Sequence, residues 1–110
     1  AVDRDAAAYQ KVIAAYRRPK QERAPFVEEA LREASTVPME VAERAAAVRR
    51  ELEILKQEAP AKFSSDVEVG IGLASAAVSG AVANVRANLE SLTDEVFRSE
   101  LNARIDALGG

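Results

Sequence analysis

The chain has 110 residues, 18 acidic against 15 basic side chains, a formal net charge of −3, and neither Cys nor His. That length allows one domain, and scattered basic residues with a slight negative balance point away from nucleic acid. Without Cys and His, zinc sites of the usual ligand types, thiol nucleophiles and Ser-His catalysis are excluded. Acid–base chemistry then falls to Asp, Glu, Lys, Tyr or water.

Ala, Glu and Arg dominate, and no β-branched run alternates with period two. The expectation is an all-α, up-and-down bundle of five helices around a buried central helix. Asp3, Arg4 and Asp5 near the start do not fit a secretory signal, and a Cys-free chain is compatible with the cytoplasm. The first helix is read from Val2 to Arg17, with Asp5, Tyr9, Val12, Ile13 and Tyr16 at helical spacing. Pro19 disfavours helix at Arg18 and ends it. The second is read from Arg23 to Ser35, with Pro25 in its first turn and Phe26, Ala30, Leu31 and Ala34 as its buried side. Pro38 is expected to close it.

The third helix is read from Met39 to Glu58, with Val41, Ala45, Val48, Leu52 and Leu55 as its packing seam. Ala59 to Ser64 connects it to the fourth. Ser65 with Glu68 three residues later is a capping-box pattern, so that helix is expected from Asp66 to Leu92. It contains the most informative stretch in the chain. From Val69 to Val85 there is no charged residue, which predicts burial on nearly all sides. A membrane span is the minor alternative, because the run falls short of the roughly 20 residues required. One face is Gly70, Leu73, Ala77, Gly80 and Asn84. Another is Val67, Ile71, Ala74, Val78, Ala81 and Val85. Two apolar faces on one helix exceed what four other helices can cover, so a homo-oligomer or a further segment is expected. Thr93 or Ser91 can cap a last helix whose stripe is Val96, Phe97, Leu101, Ile105 and Leu108, ending at Gly109-Gly110.

Four places could carry chemistry. Asp5 lies on the apolar side of its helix, where desolvation would make it a better base. From spacing alone a helix-dipole role is preferred. Tyr16, Arg17 and Lys20 cluster where the first helix ends, and suit an anionic, aromatic ligand. Cations near a helix C-terminus are the commoner explanation. Asp66 is expected as a cap, at a helix start that also offers N–H donors. Asn84 and Asn88 stand one turn apart in an apolar helix. They either lock two helices in register or face a polar ligand, and the sequence weighs these equally.

In order and spacing these residues resemble the cyclodeaminase/cyclohydrolase family of folate enzymes over nearly the whole chain. Asp5, Tyr9, Val12 and Pro19-Lys20 match its first segment. Ala34-Ser35-Thr36-Val37-Pro38 matches the end of its next helix. Ser65, Asp66, Val67, Val69 and Gly70 follow, then Gly80, Ala81, Asn84, Val85, Asn88 and Leu89, then Asp94 and Phe97. The departures are a missing glycine-rich stretch upstream, Ala59-Pro60 in place of Gly-Asn, and Glu68 at a usually small position. The resemblance implies a single but incomplete helical domain acting on a tetrahydrofolate derivative, with no permanently bound cofactor and no metal. It implies cyclodeamination of 5-formiminotetrahydrofolate or hydrolysis of 5,10-methenyltetrahydrofolate. It implies Asp5 as proton acceptor, against the preference from spacing. Chemistry then suggests Arg17 and Lys20 for the glutamate carboxylates, Tyr16 for stacking, and Asp66, Asn84 and Asn88 to contact the pterin or fix the site. A homodimer, a formiminotransferase partner and no membrane or nucleic-acid partner are expected. The alternative is a non-catalytic helical interaction fragment of that family.

Overall fold

The computed structural model describes residues 2–109, so Gly110 at the expected chain end lies outside the described residues. The described residues form four α-helices and one short 3-10 turn. These are α1 (Val2–Tyr16), α2 (Ala24–Glu58), the turn (Ala61–Phe63), α3 (Ser64–Leu89) and α4 (Glu95–Asp106). The architecture is the expected helical bundle, with one helix fewer.

The difference lies at Pro38. The chain does not stop there: the expected second and third helices are one continuous helix of 35 residues, about 52 Å at the usual rise. A proline inside a helix removes one backbone donor and crowds the carbonyl four residues earlier. Here the surrounding turns are held by other bonds. Ser35 Oγ donates to the Leu31 carbonyl at 2.7 Å and Thr36 Oγ1 to that of Arg32 at 2.9 Å. Pro38 and Met39 are both buried against the rest of the bundle. Tertiary packing therefore overrides the local signal.

Cross-helix pairs give the topology. Arg4 meets Glu40, and Lys11 meets Glu33, so α1 runs antiparallel to α2. Lys56 pairs with Glu68 at the start of α3 and Asn88 reaches Ala34 near its end, so α3 also runs antiparallel to α2. Arg32 pairs with Asp94, and Glu43 with Arg104, so α4 runs parallel to α2. Each of the other three helices packs on α2. The hub is thus α2, whereas the apolar helix α3 buries one face only.

That face is Val67, Ala74, Val78, Ala81, Val82, Val85 and Leu89. It meets Leu31, Met39, Ala42 and Ala46 of α2 and Leu101, Ile105 and Leu108 from the α4 side. The expected seam on α2 is displaced by one residue. Ala42 and Ala46 are fully buried, Val41 and Ala45 flank the core, and Val48 and Leu55 are exposed. Small residues at the contact let two long backbones approach closely, so alanines take the seam and larger neighbours its rim. On α1 the buried residues are Ala8 and Ala15, while Tyr9 and Tyr16 are exposed. Phe26, also expected inside, is exposed with the Arg18 guanidinium 3.5 Å above its ring. On α4, Val96 points to solvent.

Helix starts differ from expectation in a consistent way. Ser65 and Glu68 form no capping box: α3 begins at Ser64 without a side-chain cap, and Glu68 pairs with Lys56. For α4 the cap is Asp94 itself, whose carboxylate accepts from Phe97 N at 3.1 Å. Glu28 accepts from the backbone N–H groups of Thr93 and Asp94, both at 3.0 Å. A carboxylate from α2 thus pins the chain where α4 begins, at the end where helix N–H groups favour an anion.

The molecule measures 62 × 26 × 14 Å, with a radius of gyration of 17.3 Å. A compact chain of this length would have about 13 Å. Helices arranged this thinly leave one side uncovered, and stable domains cover both. The uncovered side of α3 carries Val69 and Leu73, 61% and 68% exposed, with Gly72, Ala76, Ala77, Gly80 and Asn84. The expected burial of α3 on nearly all sides is therefore not met within this chain. By length and composition α3 could cross a membrane; its Val67–Leu89 face is taken by α2 and α4.

Candidate functional site

Antiparallel packing of α1 and α3 on α2 brings the first turns of α1 beside the last turns of α3. A cleft of about 350 Å³ lies between them, lined by Asp5, Ala8, Tyr9 and Val12, by Asn84, Ala87 and Asn88, and by Ala34 and Pro38. Two residues separated by 79 positions in sequence, Asp5 and Asn84, thus share one wall system. Helical geometry explains the set. Asp5, Tyr9 and Val12 lie on one face of α1 at spacings of four and three, and Asn84 and Asn88 on one face of α3. The alanines at 8, 34 and 87 leave the space that larger side chains would fill.

Asp5 is exposed at the mouth of the cleft rather than desolvated as its apolar helix face suggested. Its neighbour Tyr9 is 64% exposed, with its ring available for stacking. Asn88 is half-buried and its Nδ2 donates to the Ala34 carbonyl at 3.2 Å. Asn84 is exposed one turn away. The two asparagines, paired by spacing, therefore differ: Asn88 is anchored to the bundle, and Asn84 presents its amide at the surface. The cleft thus offers a carboxylate that can accept a proton, amide donors and acceptors, and an aromatic face.

The other expected site residues lie elsewhere. Tyr16, Arg17 and Lys20 are exposed at the opposite end of α1, with Tyr16 about 16 Å along the helix from Asp5. The Tyr16 carbonyl accepts from Arg23 at 3.4 Å, and the same guanidinium lies 5.6 Å from the Tyr16 ring centre. Asp66 sits at the start of α3, about 27 Å from Asn84 along that helix. Within one chain, Asp66 is not part of the cleft. Of the cleft residues, the sequence does not single out Ala8, Tyr9, Val12, Ala34, Pro38 and Ala87 as site residues. Tyr9 was signalled by its place four residues after Asp5. Pro38 reads as a helix end in the sequence, which hides its place in the cleft.

The shifted titrating groups lie outside the cleft. Arg104 grips Glu43 through two hydrogen bonds, Nε to Oε2 at 3.0 Å and a second from the other nitrogen. Those bonds hold the Glu43 carboxyl below its ordinary value, with burial opposing. The hydrogen bond and charge of Glu68 raise Lys56.

The chain is thus an all-α helical bundle with a cleft that joins a carboxylate, a tyrosine and two asparagines. The family model described as formiminotransferase-cyclodeaminase matches residues 1–107, and the chain belongs to that family. It is 33% identical to formimidoyltransferase-cyclodeaminase of Sus scrofa over 113 aligned positions, covering 97% of this chain and 21% of the relative. The Gallus gallus protein of the same name is 30% identical over the same shares. The fold matches a crystal structure of formiminotetrahydrofolate cyclodeaminase from Thermotoga maritima with a TM-score of 0.87 and 28% identity, over 96% of this chain and 51% of that one. The chain thus spans about a fifth of the curated relatives and about half of the solved one.

Proposed function

We propose that the cleft between α1 and α3 is the pterin end of a folate site, and that the chain contributes to one-carbon chemistry on tetrahydrofolate. The observation that carries this reading is the convergence of Asp5, Tyr9, Asn84 and Asn88 in one cleft, supported by membership in a family of folate cyclodeaminases.

In cyclodeamination, N10 of 5-formiminotetrahydrofolate attacks the formimino carbon. The N10 proton passes to the Asp5 carboxylate and on to the former imine nitrogen. A second proton, from solvent, lets that nitrogen leave as ammonia, and the methenyl cation remains. In the hydrolytic version water adds to the methenyl carbon and the base takes one of its protons; the remaining hydroxyl proton passes to N5 as the carbon–N5 bond breaks, giving the 10-formyl product. Both need a proton acceptor beside N10 and polar groups that orient the pterin. Asp5 supplies the first; Asn84 and Asn88 supply the second, with Tyr9 beneath an aromatic ring. Tyr16 at the end of α1, and Arg17 and Lys20 in the turn beyond it, lie where the glutamate tail of an extended folate would reach.

Asp66 lies too far away to serve the same cleft, and we assign it to a cleft completed by a second copy in a homodimer. The exposed face of α3 is where that copy would pack, because Val69 and Leu73 stand in water there beside small residues that allow close approach. A formiminotransferase partner fits the bifunctional names of the mammalian and avian relatives. The same exposed face also supports the second reading, a non-catalytic assembly domain of this family.

The test uses the full-length protein. Calorimetry with 5-formyltetrahydrofolate should give saturable binding, and turnover of both substrates separates deaminase from hydrolase. Asp5→Asn should lower kcat by about 10²–10⁴-fold with unchanged circular dichroism. Full activity in that variant ends the assignment of Asp5, and absent binding by the folded protein favours the assembly domain.

A further inference from the structure

Pro38 has no backbone N–H, so the carbonyl four residues earlier, that of Ala34, lacks its ordinary helical donor. The Asn88 Nδ2 donates to that same oxygen at 3.2 Å from the facing helix. The match is specific, since of all carbonyls on α2 the asparagine reaches the one that the proline orphans. Ala34, Pro38 and Asn88 all line the cleft that holds Asp5 and Asn84. An amide has distinct donor and acceptor ends. With Nδ2 committed to Ala34, the Oδ1 end is left as a fixed acceptor.

We propose that Pro38 is a positioning residue: by withholding an N–H it frees the Ala34 carbonyl to hold the Asn88 amide, which fixes Asn88 Oδ1 as an acceptor for a ligand N–H in the cleft. The proline is then not a helix stop that packing tolerates but the means by which a helix lends one carbonyl to its neighbour. Only the last step, the ligand N–H, rests on the folate reading above. Pterins carry ring N–H and amino groups of that kind.

Two experiments on the full-length protein separate the parts. The first is a double-mutant cycle by denaturant unfolding, which isolates the pairwise interaction. Asn88→Ala should lower the folding equilibrium constant in the Pro38 background by about 5-fold or more. After Pro38→Ala, which returns an N–H to the Ala34 carbonyl, the same substitution should have little effect. Asn88→Asp, which keeps the shape but loses the donor, should act like Asn88→Ala. Additive effects, or a neutral Asn88→Asp, overturn the proposal. The second is kinetics. Pro38→Ala should raise KM several-fold while kcat changes little, and Asn88→Asp should do the same in a protein that remains folded. An unchanged KM in folded Pro38→Ala protein overturns the positioning role. If the unsubstituted protein binds no folate, the folate reading fails, while the unfolding cycle still decides whether Pro38 and Asn88 are coupled.

Discussion

Gly72 and Gly80 lie on the uncovered side of α3, and they report directly on what covers it. A Cβ built at either meets nothing within 4 Å. A glycine inside a helix costs roughly 0.5–1 kcal/mol relative to alanine. In this chain, Gly72→Ala and Gly80→Ala should each stabilise by about that amount. The two sites are eight residues apart on one helix and share no described contact, so the effects should add to about 1–2 kcal/mol. For a domain of this size that corresponds to a rise in Tm of about 4 °C per kcal/mol. The assay is thermal unfolding followed by circular dichroism, with molecular mass from light scattering at the same concentration. In a homodimer that packs closely on α3, the same methyl groups would enter the interface, and the sign should reverse as dimer forms. A loss of stability in a chain shown to be monomeric would refute the open face of α3 and the packing on which it rests.

The remaining predictions concern the core and its electrostatics. Leu101 is 1% exposed where α4 meets the core, so Leu101→Ala should cost about 2–5 kcal/mol; a loss below about 1 kcal/mol in urea unfolding would contradict its place there. The depressed pKa of Glu43 makes its pairing with Arg104 a contribution present above the ordinary carboxyl range and lost as pH falls through the lowered value. Because both side chains are about 40% exposed, solvent screening limits it to about 0–1 kcal/mol. Glu43→Gln should therefore lower stability slightly at neutral pH and flatten the decline of stability below about pH 4.5, until the two proteins converge in strong acid. An unchanged acid limb in urea titrations across that range would show the pair to be inconsequential.

Much of this protein was legible from residue order alone. Helical periodicity and the absence of alternating β-branched runs determined an all-α chain, because these patterns are local and repeat every turn. The two faces of α3 were separable by the same logic; of Val67, Ile71, Ala74, Val78, Ala81 and Val85 all but the half-buried Ile71 are buried, while the other face, also expected to be covered, is open. Asp5, Asn84 and Asn88 stood out because a carboxylate and amides on apolar faces need a reason to be there.

Tertiary structure decided what depends on partners distant in sequence. Pro38 reads as a stop, since proline removes a donor; only the packing of α3 on α2 supplies Asn88 to the freed carbonyl and lets the helix continue. The start of α4 has its local cap in Asp94, but Glu28 pins the chain there from 65 positions away, which no local capping rule contains. The seam of α2 fell on Ala42 and Ala46 rather than on larger neighbours, because close approach of two backbones is a property of the pair and not of either helix. Side-chain type indicates which residues could do chemistry, but the antiparallel sense of α1 and α3 on α2 determines which of them meet.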